Sequence, residues 1–159
     1  MKMMRVYIDT SVFGGYYDEE FQTATQGFFA ALSQGRIAAL ISATLVRELE
    51  DAPGQVRGLL RNVMVHGYEP LEVTDEAVNL AKAYIQAGVV TEKYSDDALH
   101  VAMATLARAD VIVSWNFKHI VNPVRERAFN GVNIALGYGI VSVMTPEAMV
   151  KVMEAQDED

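Results

Sequence analysis

A chain of 159 residues, 51% of them apolar, is long enough for one sizeable core and short for two, so a single domain is expected. Its 21 acidic against 13 basic residues leave a formal charge of −8, which argues against general electrostatic attraction to nucleic acid and confines any such contact to a local basic patch. With no cysteine there is no disulfide framework, thiolate nucleophile or Cys-based zinc site, and the composition fits a reducing cytoplasm.

The start, MKMMRVYIDTSVF, reaches an aspartate after only a few apolar residues, which predicts neither a signal peptide nor a membrane span. Residues 3–8 read as the first strand, closed by Asp9, and Asp9-Thr10-Ser11 as a polar turn before Val12-Phe13 and a break at Gly14-Gly15. Phe21, Thr25, Phe28, Phe29 and Leu32 share a face at helical spacing, which predicts a helix over 20–34. Residues 36–41 form a second strand, after which Ser42 caps a short helix that carries Glu48. A helix over 55–64 follows Pro53-Gly54, residues 68–73 are an edge strand or loop because of Pro70, and Asp75 starts a helix through Ala87.

The stretch SDDALHVAMATLARADVIVSWNFKHI, 95–120, organises the rest. Ser95 is placed as the cap of an almost wholly small and apolar helix, with Asp96 and Asp97 in its first turn, where free amide donors favour negative charge. Val111-Ile112-Val113 is a short β-branched strand that stops at Ser114-Trp115-Asn116, so its polar residues fall at a strand end. Pro123 starts another helix, residues 140–143 are the last strand, and Thr145-Pro146 begins a final helix packed through Met149, Val152 and Met153 before the acidic tail at 156–159. Strands alternating with helices predict one α/β domain over 1–155 with a mostly parallel sheet, whose strand order the pattern does not supply.

If parallel connections gather the strand ends at one edge, Asp9, Glu48 and Asp97 converge. Three carboxylates together repel one another unless a cation is present, and their hard oxygen atoms suit Mg²⁺ or Mn²⁺, which would activate water for attack on a phosphodiester. Taken singly the same acids read as local caps and a solvated helix face, and Asp96 is the alternative to Asp97. Lys118 and His119, in the polar loop after the last of these acids, are candidates for phosphate contact, with Arg125 and Arg127 widening that surface. Ser11 and Ser114 read first as partners of exposed strand-end amides, and Trp115 first as a packing residue. His66 and His100 have no pattern that assigns them chemistry.

YIDTSVF, the isolated helical Glu48, and DALHVAMA followed by ADVIVSWNFKHI together resemble PIN-domain proteins, in particular the toxin-like ribonucleases of type II toxin–antitoxin modules. The likeness spans nearly the whole chain, in the order of its elements. What it implies is a three-layer α/β/α domain, often a homodimer, with an acidic site for Mg²⁺ or Mn²⁺ that cleaves RNA, and a separate antitoxin as partner. It puts the family's acids on Asp9, Glu48 and Asp97, and its fourth position on Asn116, a neutral amide that can offer a carbonyl oxygen or orient water but lacks a carboxylate's charge. The expectation is therefore a metal-dependent endoribonuclease, with a PIN-like protein that binds RNA or a regulatory partner without cutting as the alternative. Phosphatase chemistry is disfavoured because Asp9-Thr10-Ser11 lacks an Asp-x-Asp pair, and a response regulator because YIDTSVF fits the PIN pattern better.

Overall fold

Buried β-branched and aromatic residues make Met4–Ile8 the first strand (β1), buried apolar runs make Ile37–Ser42 (β2) and Val111–Val113 (β4), and the more exposed Glu69–Leu71 (β3) and Ser142–Met144 (β5) are strands at the two edges. In the computed structural model, which describes residues 3–157, these five strands form one sheet in the order β3-β2-β1-β4-β5, and every pairing is parallel. β1 lies at the centre, with Ile8 opposite Val113. The chain runs outward through β2 to β3, then returns past β1 to lay down β4 and β5 on the other side.

Eight α-helices lie between and beyond the strands among the described residues: α1 (Thr10–Gly15), α2 (Gln22–Ser33), α3 (Ala43–Glu48), α4 (Gly54–Val65), α5 (Asp75–Gln86), α6 (Ser95–Leu106), α7 (Pro123–Ala135) and α8 (Pro146–Asp157). The strands' alternation sorts them into two layers. Val6, Ile8, Val111 and Val113 face Phe28, Phe29, Leu32, Leu60, Val63, Met149 and Met153, which come from α2, α4 and α8. Tyr7, Leu40 and Ile112 face the opposite way, onto Leu80, Tyr84, Val101, Ala102 and Phe129 of α5, α6 and α7. The result is a three-layer α/β/α domain. No helix among the described residues is long and apolar enough to cross a membrane.

Several local expectations are corrected. The polar turn expected after Asp9 is the helix α1, because Asp9 has an extended backbone and its carbonyl accepts the Val12 amide at 3.1 Å, as a helix N-cap does. Ser95 is not the cap of α6 but its first residue; Tyr94 holds the cap position and ends a short 3-10 turn, Glu92–Tyr94, in the linker. α5 starts at Asp75 as read, with Thr74 as its cap, accepting the Ala77 amide at 3.1 Å. α2 begins at Gln22 and ends at Ser33, and β5 begins two positions later than residue 140. The expected tail at 156–159 is helical through Asp157, whose carboxylate pairs with Arg36; residues 158–159 lie outside the described residues. The Ser42 and Thr145 caps are as read, accepting the amides of Leu45 and Ala148, both at 3.0 Å.

Candidate functional site

Reversal of strand order about β1 leaves a crevice at the carboxyl ends of β1 and β4, the place where parallel sheets leave helix starts and polar loops unpaired. Asp9 is the residue just past β1 and Ser114 the residue just past β4, and the Asp9 amide continues the ladder by donating to the Val113 carbonyl at 3.0 Å. Asp9 is only 4% exposed. Its Oδ2 accepts two hydroxyls, Ser11 at 2.7 Å and Ser114 at 2.8 Å. Each serine oxygen accepts a backbone amide in turn, Trp115 N–H on Ser11 and Asn116 N–H on Ser114, both at 2.9 Å. The serines thus satisfy strand-end amides and fix the carboxylate, so the structural and the site role fall to the same atoms.

Glu48 and Asp97 reach the same crevice from the last residue of α3 and the first turn of α6. What lies among the three acids is His100, one helical turn beyond Asp97 and 1% exposed. Its Nε2 is 2.8 Å from Glu48 Oε1, 3.5 Å from the Thr10 hydroxyl and 3.9 Å from Asp9 Oδ1, while Nδ1 shares a 2.5 Å hydrogen bond with the Tyr7 hydroxyl. The tautomer sets which atom of the Tyr7 pair donates. The sequence reading passed over this histidine. The available signal was its i, i+3 spacing from Asp97, which puts both on one face of a helix.

The three ionisable groups are tuned against one another. Burial disfavours the charged His100 ring, but the hydrogen bond to Glu48 and the negative charges of Asp9, Glu48 and Asp97 outweigh it, and its pKa rises above the ordinary histidine value. Burial opposes ionisation of Glu48 too, yet the hydrogen bond and charge of His100 hold its pKa below the usual carboxylate value. Asp97 goes the other way: burial and then the charge of Asp9 push its pKa up, against the opposing charge of His119. Tyr7 is pushed well above the ordinary phenol range by burial and stays a neutral hydroxyl.

His119 Nδ1 lies 2.9 Å from Asp97 Oδ2, and the ring is buried under Tyr94, with centroids 3.9 Å apart. His119 therefore faces inward. Asn116 Oδ1 accepts the His119 backbone amide at 3.0 Å, so the oxygen expected to offer itself to a cation closes the loop instead. Arg125 is half-buried and donates to the Val89 carbonyl, which ties α7 to the linker before α6. Of the four residues expected at phosphate, Lys118, its Nζ 3.4 Å from the Tyr94 hydroxyl, and Arg127 are exposed. Trp115 is a packing residue, stacked on Phe21 at 4.3 Å and donating Nε1–H to Thr25 at 2.9 Å.

Asp9, Glu48 and Asp97 bring to one crevice oxygen donors of the kind that hard divalent cations take, and burial, with the charge of Asp9 second, raises the Asp97 pKa there. Their hydrogen bonds fall on one oxygen each, Oδ2 of Asp9, Oε1 of Glu48 and Oδ2 of Asp97, an arrangement that orients a carboxylate for a ligand on its other oxygen. Among the described residues no three such side chains are drawn into a finished metal-holding group. No family model matches the chain, and no curated protein matches it either.

Proposed function

We propose that this protein is a metal-dependent endoribonuclease with a PIN-like domain, its site built on Asp9, Glu48 and Asp97. One observation carries the reading: three acids far apart in sequence meet at the crevice between β1 and β4, each anchored through one oxygen. Asp9 and Asp97 would hold the ion, Mg²⁺ or Mn²⁺, and Glu48 would bind it directly or orient water beside it. A divalent cation supplies charge neutralisation at the phosphodiester and an activated water. The chain does the rest. Ser11 and Ser114 keep Asp9 from turning, Tyr7 and His100 keep Glu48 aimed into the crevice, and His119 holds Asp97. Asn116 shapes the loop, and Lys118 stands at the rim to meet phosphate charge. The toxin role, the homodimer and the antitoxin partner follow from the sequence resemblance, and the cytoplasmic setting from the cysteine-free composition.

The test is cleavage of a mixed pool of structured and single-stranded RNA with Mg²⁺ and Mn²⁺ added separately. Discrete cuts are expected with the native chain and a loss of at least about 100-fold in rate with folded Asp97→Asn, since that change removes a charged ligand. Equal cleavage by both would remove Asp97 from the site. A second reading, RNA binding without cleavage, is favoured by the engagement of Asn116 Oδ1 with the His119 amide. RNA retained intact by the native protein across both metals would select it.

A further inference from the structure

Beside the acidic crevice, on the Asp97 side, two lysines converge on one tyrosine. Lys93 Nζ lies 5.6 Å and Lys118 Nζ 5.3 Å from the centre of the Tyr94 ring, and Lys118 reaches its hydroxyl as well. Both lysines are exposed, and neither forms an ion pair among the described residues, although the chain carries a net charge of −8. Glu92 and Asp96 flank the pair in sequence without bonding to either lysine among those residues. Each ammonium lies within 5.6 Å of the Tyr94 ring centre with no acid paired to it among the described residues, so an anion seated at that ring meets both charges.

The support beneath them is fixed. Tyr94 lies on the His119 ring, His119 is bonded to Asp97, and Arg125 ties the linker to α7 at Val89. On the same loop as Lys118, the Phe117 ring is 50% exposed. Its ring centre is 6.1 Å from Trp115 and 6.3 Å from Phe21, so the stacked Phe21–Trp115 pair backs it. An aromatic ring with a rigid back and a free face is a platform for a nucleobase, and ammonium groups beside it match the phosphates of the same strand.

We propose that Lys93, Tyr94 and Lys118 clamp a phosphate of the RNA on the Asp97 side of the crevice, and that Phe117 stacks an adjacent unpaired base. The proposal rests on the RNA reading of the acidic site and adds residues that the sequence reading did not find, because Lys93 and Tyr94 lie in a linker with no periodicity.

Binding of a short fluorescein-labelled single-stranded RNA of mixed sequence, and of the same strand annealed to its complement, is measured by anisotropy. The full chain is used in chelator, so that no strand is cut, across a salt series. The expected result is preference of the native chain for the single strand. Phe117→Ala weakens that binding about ten-fold with its salt slope unchanged. The double change Lys93→Gln with Lys118→Gln lowers the slope of log affinity against log salt by about 0.7, the value for one phosphate contact on a single strand. Lys151→Gln, on α8 and paired with Glu147, alters neither. If the native chain binds RNA but the double variant keeps its slope and Phe117→Ala its affinity, the clamp is wrong and the RNA reading stands. Loss with Lys151→Gln equal to that of the double variant also overturns the clamp, in favour of diffuse charge. No binding of either RNA by the native chain overturns both.

Discussion

Asp9 and His100 show how differently two buried polar residues declare themselves. Asp9 was readable because a carboxylate that ends an apolar strand stands out against its neighbours, and the same holds for Asp97 at the head of an apolar helix. A single histidine inside ALHVAMA reads as a core residue, and only the assembled crevice shows that it bridges Tyr7 and Glu48. This bridge has a stability consequence with a definite sign. Because the folded protein raises the His100 pKa above its ordinary 6.5, the imidazolium is favoured by folding. Its contribution is complete below that value, where both states are protonated, and is lost as pH rises through the higher folded value. The metal-free protein is therefore expected to melt at progressively lower temperature above neutral pH, and His100→Gln to flatten that part of the profile. Thermal melts of both proteins in chelator measure it; parallel profiles would mean that His100 does not carry the dependence.

Among the elements, α1 and the loop after β4 are held to each other where side chains are smallest. A Cβ at Gly15 would come within 2.7 Å of the Trp115 indole and 3.0 Å of the Thr25 hydroxyl. Gly15→Ala therefore forces the indole off its Thr25 hydrogen bond and its Phe21 stack, or moves α1. Overpacking of this kind costs about 1–3 kcal/mol, which urea unfolding followed by Trp115 fluorescence will report as a lower midpoint. Element order was legible from apolar runs and caps, as β1, β4 and the Thr145 cap show. The helical fate of Thr10-Ser11 was not, since a six-residue helix has too few positions to display a period. Nor was the place of Tyr94, where a 3-10 turn and the cap of α6 meet.

For the molecule as a whole, strand order was the missing quantity, since parallel pairing of short apolar strands leaves no local mark of who neighbours whom. Once β4 lies against β1, the acids' convergence follows, and a cation bound there must stabilise the fold. At roughly 100 times its Kd, Mg²⁺ or Mn²⁺ should add about 2.7 kcal/mol, seen as a raised melting temperature of the native chain. Asp9→Asn and Asp97→Asn should each abolish that rise; an undiminished rise in both would place the ion elsewhere. The same pairing also sets a timetable for synthesis. Ser114 meets Asp9 across a separation of 105 positions, so a ribosome that has released Asp9 and Glu48 has released parts with no crevice to occupy. Only when Val111–Val113 has left the exit tunnel and slotted beside β1 do these side chains come together, and messages cut short before that codon encode fragments without the crevice.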